Sequence, residues 1–152
     1  MLKYFYSILI SKRGVGTFWR PLMFEFPLDS RVYDDEVADT QFLIGSDLMA
    51  APIVEQNKTG REVYFPETNW ISYQTKQRFT PGTHSISDIK LTDEIPLFIR
   101  EGAIVSVQNV QKIVNTKQLD NSYMLSMALA YDGSRSNSTH TVYRATGHLL
   151  AI

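Results

Sequence analysis

The spacing of hydrophobic and polar positions changes character about a third of the way along this chain. Leu2, Phe5, Tyr6, Leu9 and Ile10 recur at helical intervals, which predicts a helix over residues 2–12. Gly14 and Gly16 follow and end it, glycine being a poor helix former. From Phe18 to Phe26 the chain reads Phe-Trp-Arg-Pro-Leu-Met-Phe-Glu-Phe, apolar on both faces rather than alternating. That texture predicts a strand covered on both sides, the ordinary condition in a parallel sheet or α/β barrel. Pro27 closes it. Asp34, Asp35 and Glu36 then gather carboxylates suited to a helix start, where they complement the amino-terminal dipole. The helix is predicted from Asp35 to Ile44, with Gly45 as its left-handed cap.

Beyond Gly45 the helical period disappears. Leu48 to Val54 predicts a short strand interrupted by Pro52. Arg61 to Phe65 and Trp70 to Tyr73 predict two more, with Pro66-Glu67-Thr68-Asn69 as the turn between them and Pro81-Gly82 as another turn. Pro96 to Arg100 and Ala103 to Val107 flank Glu101-Gly102, which predicts a tight hairpin. Residues 112–122 are polar and read as a connection. Tyr123 to Ala130 and Thr141 to Ile152 are strand-like, separated by a polar loop from Asp132 to Asn137. Short strands punctuated this regularly predict an antiparallel sandwich, so the expected class is α+β. A strand like 18–26 needs parallel neighbours and covering helices, and the sequence holds a single candidate of that kind. The run Leu149-Leu150-Ala151-Ile152 lacks a polar close. Both features lead to the expectation that the chain is a piece of a larger protein.

Composition narrows the function classes. Hydrophobic residues make up 43% of the 152 positions and charged residues 20%, a normal balance for a packed domain and not for a disordered one. The 15 basic and 16 acidic side chains give a net charge of −1 with no long run of either sign. A nucleic-acid partner is not expected from that balance. No apolar stretch approaches the ~20 residues of a membrane span, and residues 1–12, with Lys3 ahead of a run broken by tyrosines, do not have the shape of a signal peptide. There are no cysteines, which excludes disulfides and thiolate metal sites. Asn57-Lys58-Thr59 and Asn137-Ser138-Thr139 are N-glycosylation sequons in polar, turn-like stretches.

Five stretches occur together in a fixed order: Arg20-Pro21-Leu22-Met23-Phe24-Glu25-Phe26-Pro27, Asp39-Thr40-Gln41-Phe42-Leu43-Ile44-Gly45, Leu48-Met49-Ala50-Ala51-Pro52-Ile53, Tyr64-Phe65-Pro66 with Trp70, Tyr73 and Thr75, and Ile95-Pro96-Leu97-Phe98-Ile99-Arg100 with Gly102-Ala103-Ile104. In that order they resemble glycoside hydrolase family 31, whose elements read R-P-L-[FL]-x-E-F, D-x-Q-F-[LM]-[LI]-G, Y-x-P-x-G-x-W-x-x-x-x-T and I-P-[LV]-[FY]-[VI]-R-x-G-[SAG]-I. Asn69, Ser72 and Ser106 depart from the residues usual at their positions. The resemblance implies three parts: residues 1–46 as the last helix-strand-helix of a (β/α)8 catalytic barrel, 47–109 as a proximal antiparallel β-sandwich domain, and 110–152 as the start of a distal β-domain. It implies that these elements pack on a catalytic barrel outside this chain. It also implies a retaining hydrolase of α-glucosides or oligosaccharides, working through paired carboxylates, with no cofactor and no metal. A secretory, lysosomal or extracellular setting agrees with the family and the sequons.

The family's nucleophile lies in a W-x-D-M-N type motif, and no such motif occurs here, so no catalytic residue is carried over. Among local carboxylates Glu25 is the strongest candidate, because active sites form at the carboxyl ends of barrel strands. A buried acid held by Arg20 or by backbone donors is the reading we adopt for it. Asp34, Asp35, Glu36 and Asp39 read as helix-capping and solvated residues. His84, His140 and His148 are too scattered for a metal site. Ser46, Ser85 and Ser87 have no nucleophile-elbow context, and Gly14-Val15-Gly16 lacks the rest of a dinucleotide fingerprint. Trp19, Trp70, Tyr64 and Tyr73 have the chemistry of a sugar-stacking platform, though such side chains more often fill cores and interfaces.

Overall fold

The computed structural model describes residues 2–11, 17–89, 94–107, 124–127, 141–143 and 149–151. The chain divides into two compact units, Trp19–Glu101 and Met1–Phe18 with Gly102–Ile152. The first holds eight described strands: Trp19–Pro21 (β1), Phe42–Ile44 (β2), Leu48–Ala50 (β3), Arg61–Phe65 (β4), Trp70–Ser72 (β5), Arg78–Phe79 (β6), Gly82–Ile86 (β7) and Leu97–Arg100 (β8). Six form one sheet in the order β1-β2-β3-β8-β5-β6, while β4 and β7 make a separate ribbon. Every pairing is antiparallel.

Alternation explains the ribbon. In β4, Val63 and Phe65 are fully buried while Glu62 is exposed, the one-face-in pattern of a half-buried strand. Phe65 stacks on Phe79 with centroids 4.9 Å apart and meets Phe98 edge-on at 4.9 Å. Leu43, Met49 and Trp70 of the six-stranded sheet belong to the same buried cluster. The irregular segment after β1 adds Leu22, Phe26, Val32 and Val37 to it. Burial of a large aromatic group contributes about 2–3 kcal/mol, so these rings dominate the unit's hydrophobic stabilisation.

Several predicted elements differ from what is found. The strand over 18–26 is confined to Trp19–Pro21. Leu22–Phe24 is a 3-10 turn, and the amides of Glu25 and Phe26 both donate to the Leu22 carbonyl at 3.0 Å. Pro21 has no N–H to extend a ladder. Trp19 and Phe24 remain 59% and 58% exposed, so the described residues do not cover this stretch on both sides. The helix over 35–44 is a single turn, Asp35–Ala38 (α2), followed by strand β2. Just past it, the buried Gln41 side chain (2% exposed) pairs with both backbone groups of Tyr64, donating to the carbonyl at 2.8 Å and accepting from the amide at 2.9 Å. Gly45, with φ 68°, turns a hairpin between β2 and β3 rather than capping a helix. The strand expected over Leu48–Val54 stops at Ala50, short of Pro52.

The expected hairpin across Glu101-Gly102 does not form. β8 sits between β3 and β5 with both edges occupied, which leaves no partner site for the strand after it. That strand, Ile104–Val107 (β9), pairs instead with Met124–Met127 (β10).

The second unit also contains the predicted amino-terminal helix, Leu2–Ser11 (α1). The helix forms where the spacing predicts it, but it buries a different face: Tyr4 and Ser7 are buried, whereas Tyr6 and Leu9 of the predicted apolar set are exposed. Phe5 meets Phe18 edge-on at 5.2 Å. α1 lies against β9 and against Thr141–Tyr143 (β11), which pairs with Leu149–Ala151 (β12). The strand-like stretch from Thr141 to Ile152 thus holds two described strands. Gly14, Gly16, the polar connection 112–122, the loop from Asp132 to Asn137, and His140 and His148 lie outside the described residues.

Candidate functional site

The R-P-L-M-F-E-F stretch and the I-P-L-F-I-R stretch meet at one carboxylate. Glu25 Oε2 receives Arg20 Nη2 at 3.0 Å, and its Oε1 receives Arg100 Nη1 at 3.0 Å. The three side chains are only 23%, 23% and 24% exposed. Strand register explains the meeting. Arg20 of β1 lies opposite Leu43, Leu43 opposite Met49 and Met49 opposite Phe98, so Arg20 extends from the core face of the sheet. Arg100 lies two residues beyond Phe98 and shares that face. The 3-10 turn then folds Glu25 back between them. Arg100 also places its guanidinium 5.0 Å from the Phe26 ring centroid, a cation–π contact that keeps the adjacent aromatic seated.

Both Glu25 oxygens are thus engaged by guanidinium groups. Such a carboxylate braces the segment after β1 onto β8, in the way the residue types at 20 and 25 lead one to expect. The third member, Arg100, is 75 positions away from Glu25, and reading the residues alone missed it. Its signal was an arginine ending an otherwise apolar strand, a charge that needs a partner once the strand is buried.

The remaining candidates serve local contacts. Asp34 pairs with Arg31 at 2.8 Å, and its carbonyl, not its side chain, opens α2. Asp35 and Glu36 occupy the first helical turn, and Asp39 ends it. Asp29 accepts from the Tyr64 hydroxyl at 2.7 Å. Burial, then this bond, pushes the Tyr64 pKa up to about 12. Arg61 donates to the Thr40 and Pro52 carbonyls at 2.9 and 2.6 Å, and burial lowers its pKa, with Glu55 opposing. His84 bonds the Thr80 carbonyl at 2.9 Å and lies edge-on to Phe79 and Phe65. Ser46 bonds Asp47, and Ser87 bonds Asp88, each at 3.0 Å. Ser85 lines an open groove of about 730 Å³ with Gln74, Gln77 and Asp88. Among the described residues no three His, Asp or Glu side chains gather as a metal site, and no helix is long and apolar enough to cross a membrane.

The four aromatics do not act together. Trp70 is fully buried and donates from Nε1 to the Pro66 carbonyl at 3.2 Å. Tyr64 is committed to Asp29, and Tyr73 carries Lys76 over its ring at 4.6 Å. Trp19 alone of the four is largely exposed, stacked on Phe42 with centroids 4.5 Å apart.

An antiparallel β-module braced by a two-arginine carboxylate is the class that fold and cluster define. The sequence pattern of the glycosyl hydrolase family 31 C-terminal domain matches residues 16–105. With that match across more than half its length, the chain belongs to glycosyl hydrolase family 31. It is 30% identical over its full length to a lysosomal acid alpha-glucosidase of Tetrahymena pyriformis, of which it spans 17%. It is 32% identical over 90% of its length to an alpha-glucosidase of Mucor javanicus, spanning 16% of that protein. Among solved structures, a family 31 dextranase of Flavobacterium johnsoniae complexed with isomaltotriose superposes on 85% of this chain with a TM-score of 0.71 at 25% identity, the match covering 16% of the dextranase. The chain therefore corresponds to a small part of these relatives, which are named as glycosidases.

Proposed function

We propose that the intact protein is a retaining hydrolase of α-glucosidic bonds and that this chain contributes scaffold, not the catalytic carboxylates. The family match over residues 16–105, together with relatives named as alpha-glucosidases, supports the reaction class. In such enzymes one carboxylate attacks the anomeric carbon and a second protonates the leaving oxygen and later activates water. The observation that carries the scaffold reading is Glu25, the best-placed local carboxylate, with an arginine on each oxygen. The family division would set residues 1–46 against the catalytic barrel, 47–109 as the proximal β-domain and 110–152 as the start of the distal one, although β1 and β2 share one antiparallel sheet with β3 and β8 and so join the first part to the second. Trp19, Phe24 and Leu28, between 58% and 96% exposed, support docking of this chain on that barrel, since large apolar groups in water mark an interface. Rigid support of this kind is what holds reacting groups in productive geometry.

The test is turnover of a chromogenic α-glucoside by the purified 152-residue chain beside the full-length enzyme. Hydrolysis by the full-length protein alone is expected, and hydrolysis by the short chain would overturn the scaffold reading. A second reading, a non-catalytic carbohydrate-binding module, draws on the exposed Trp19–Phe42 stack. Retention of the chain on an immobilised α-glucan, lost in Trp19→Ala, would favour it.

A further inference from the structure

The connection between β3 and β4 is the most exposed continuous stretch of the larger unit's described residues. Every side chain from Val54 to Thr59 is exposed, and the stretch turns at Asn57, whose backbone is left-handed with φ 62°. Asparagine tolerates that conformation better than most residues. The base of the loop, by contrast, is fixed. The Thr59 carbonyl accepts from the Ile89 amide at 2.8 Å. At Gly60 an added Cβ would lie 2.6 Å from the Ile86 carbonyl oxygen, so the backbone packs tightly just past the tip. Lys58 and Glu55 pair loosely at 3.9 Å, both more than half exposed. The tip is thus a protruding turn on a rigid root, displaying an Asn and a Thr two residues later.

We infer that Asn57 is an acceptor for an N-linked glycan. The motif requires a hydroxyl at the second position after the asparagine and no proline between them, and Lys58 and Thr59 satisfy both conditions. An oligosaccharyltransferase has to draw the acceptor segment into its own site, which an exposed turn allows and a paired strand does not. The donor is an oligosaccharide carried on a lipid pyrophosphate. A bond forms between Asn57 Nδ2 and the anomeric carbon as that carbon's bond to the pyrophosphate oxygen breaks. Nδ2 gives up one proton, and the lipid pyrophosphate leaves. An open groove of about 650 Å³ beside the turn, walled by Pro52, Ile53 and Pro96, provides room for the first sugars against the protein. The inference concerns a modification and does not depend on which bond the parent enzyme cleaves.

The protein isolated from its own cells is digested, and the peptides are treated with an amidase specific for N-glycans in heavy-oxygen water. We expect the peptide carrying Asn57 to appear with labelled aspartate at that position, and the band of the intact protein to sharpen and migrate faster. Thr59→Ala should abolish the label, whereas Thr59→Ser should retain it. Recovery of that peptide solely as unmodified asparagine, or a label that persists in Thr59→Ala, would overturn the proposal.

Discussion

Two regions of the larger unit lie on the same face of the same sheet and are held together in opposite ways. Around Phe65, Phe79, Phe98 and Trp70 the interior is dry and aromatic, with residues between 0% and 6% exposed. A few residues away, Arg20, Glu25 and Arg100 form a charged brace about a quarter open to solvent. The aromatic region is stabilised by area removed from water, which is non-directional and large. The brace gains little net free energy, because attraction is offset by desolvation, but it fixes direction: the segment after β1 has one orientation that satisfies both arginines. Bulk stability and orientation are therefore carried by different residues.

The largest effect should come from the dry region. Phe65→Ala removes a ring in contact with two others and is expected to cost about 3–5 kcal/mol, read as a lowered urea midpoint. A loss below ~1 kcal/mol would show that the ribbon is not part of the core. Gly60→Ala forces a methyl group against the Ile86 carbonyl and should cost about 1–3 kcal/mol while leaving the aromatic near-ultraviolet signal intact. Arg100→Ala should cost about 1–2 kcal/mol, between the values for exposed and fully buried pairs. Its loss should grow less in Glu25→Gln, because the two residues share one interaction.

The Tyr64–Asp29 contact adds a pH dependence. The folded pKa of about 12 stands above the ordinary 10.0, so the protonated phenol is favoured by folding. That contribution is complete below about pH 10 and is lost as pH rises through about 12. Tyr64→Phe should flatten the alkaline limb of a stability–pH curve. The smallest effect is expected at Trp19, 59% exposed. Trp19→Ala should change the stability of the isolated chain by no more than ~0.5 kcal/mol.

How much of this was legible in the residues depended on whether the deciding interaction was local. β4 was readable because alternation of Val63 and Phe65 with Glu62 is itself the cause of the half-buried strand. The existence of α1 was readable from its period, but not its buried face, which Tyr4 and Ser7 form while Tyr6 and Leu9 are exposed. Phe42-Leu43-Ile44 was not readable. Three apolar residues in a row fit a helix or a buried strand equally well, and the choice is made by β1 and β3 on either side. Gln41 looked like a helix residue, yet its amide acts as a strand partner for Tyr64, 23 positions on. The hairpin at Glu101-Gly102 failed on the same principle, since the turn residues were suitable but both edges of β8 were already taken. At the candidate site, Arg20 with Glu25 was visible as a near neighbour, and Arg100 was not, because only the sheet order brings it close.

The claim that this chain braces a glycosidase without supplying its catalytic carboxylates is tested most directly at Glu25 in the full-length enzyme. The measurement is kcat of Glu25→Gln against the parent on an α-glucoside, at a temperature where circular dichroism shows both fully folded. The account predicts a fall of no more than about tenfold, the scale of a disturbed support. A fall on the order of a thousandfold or more with the fold intact, as expected for removing a reacting carboxylate, would contradict it.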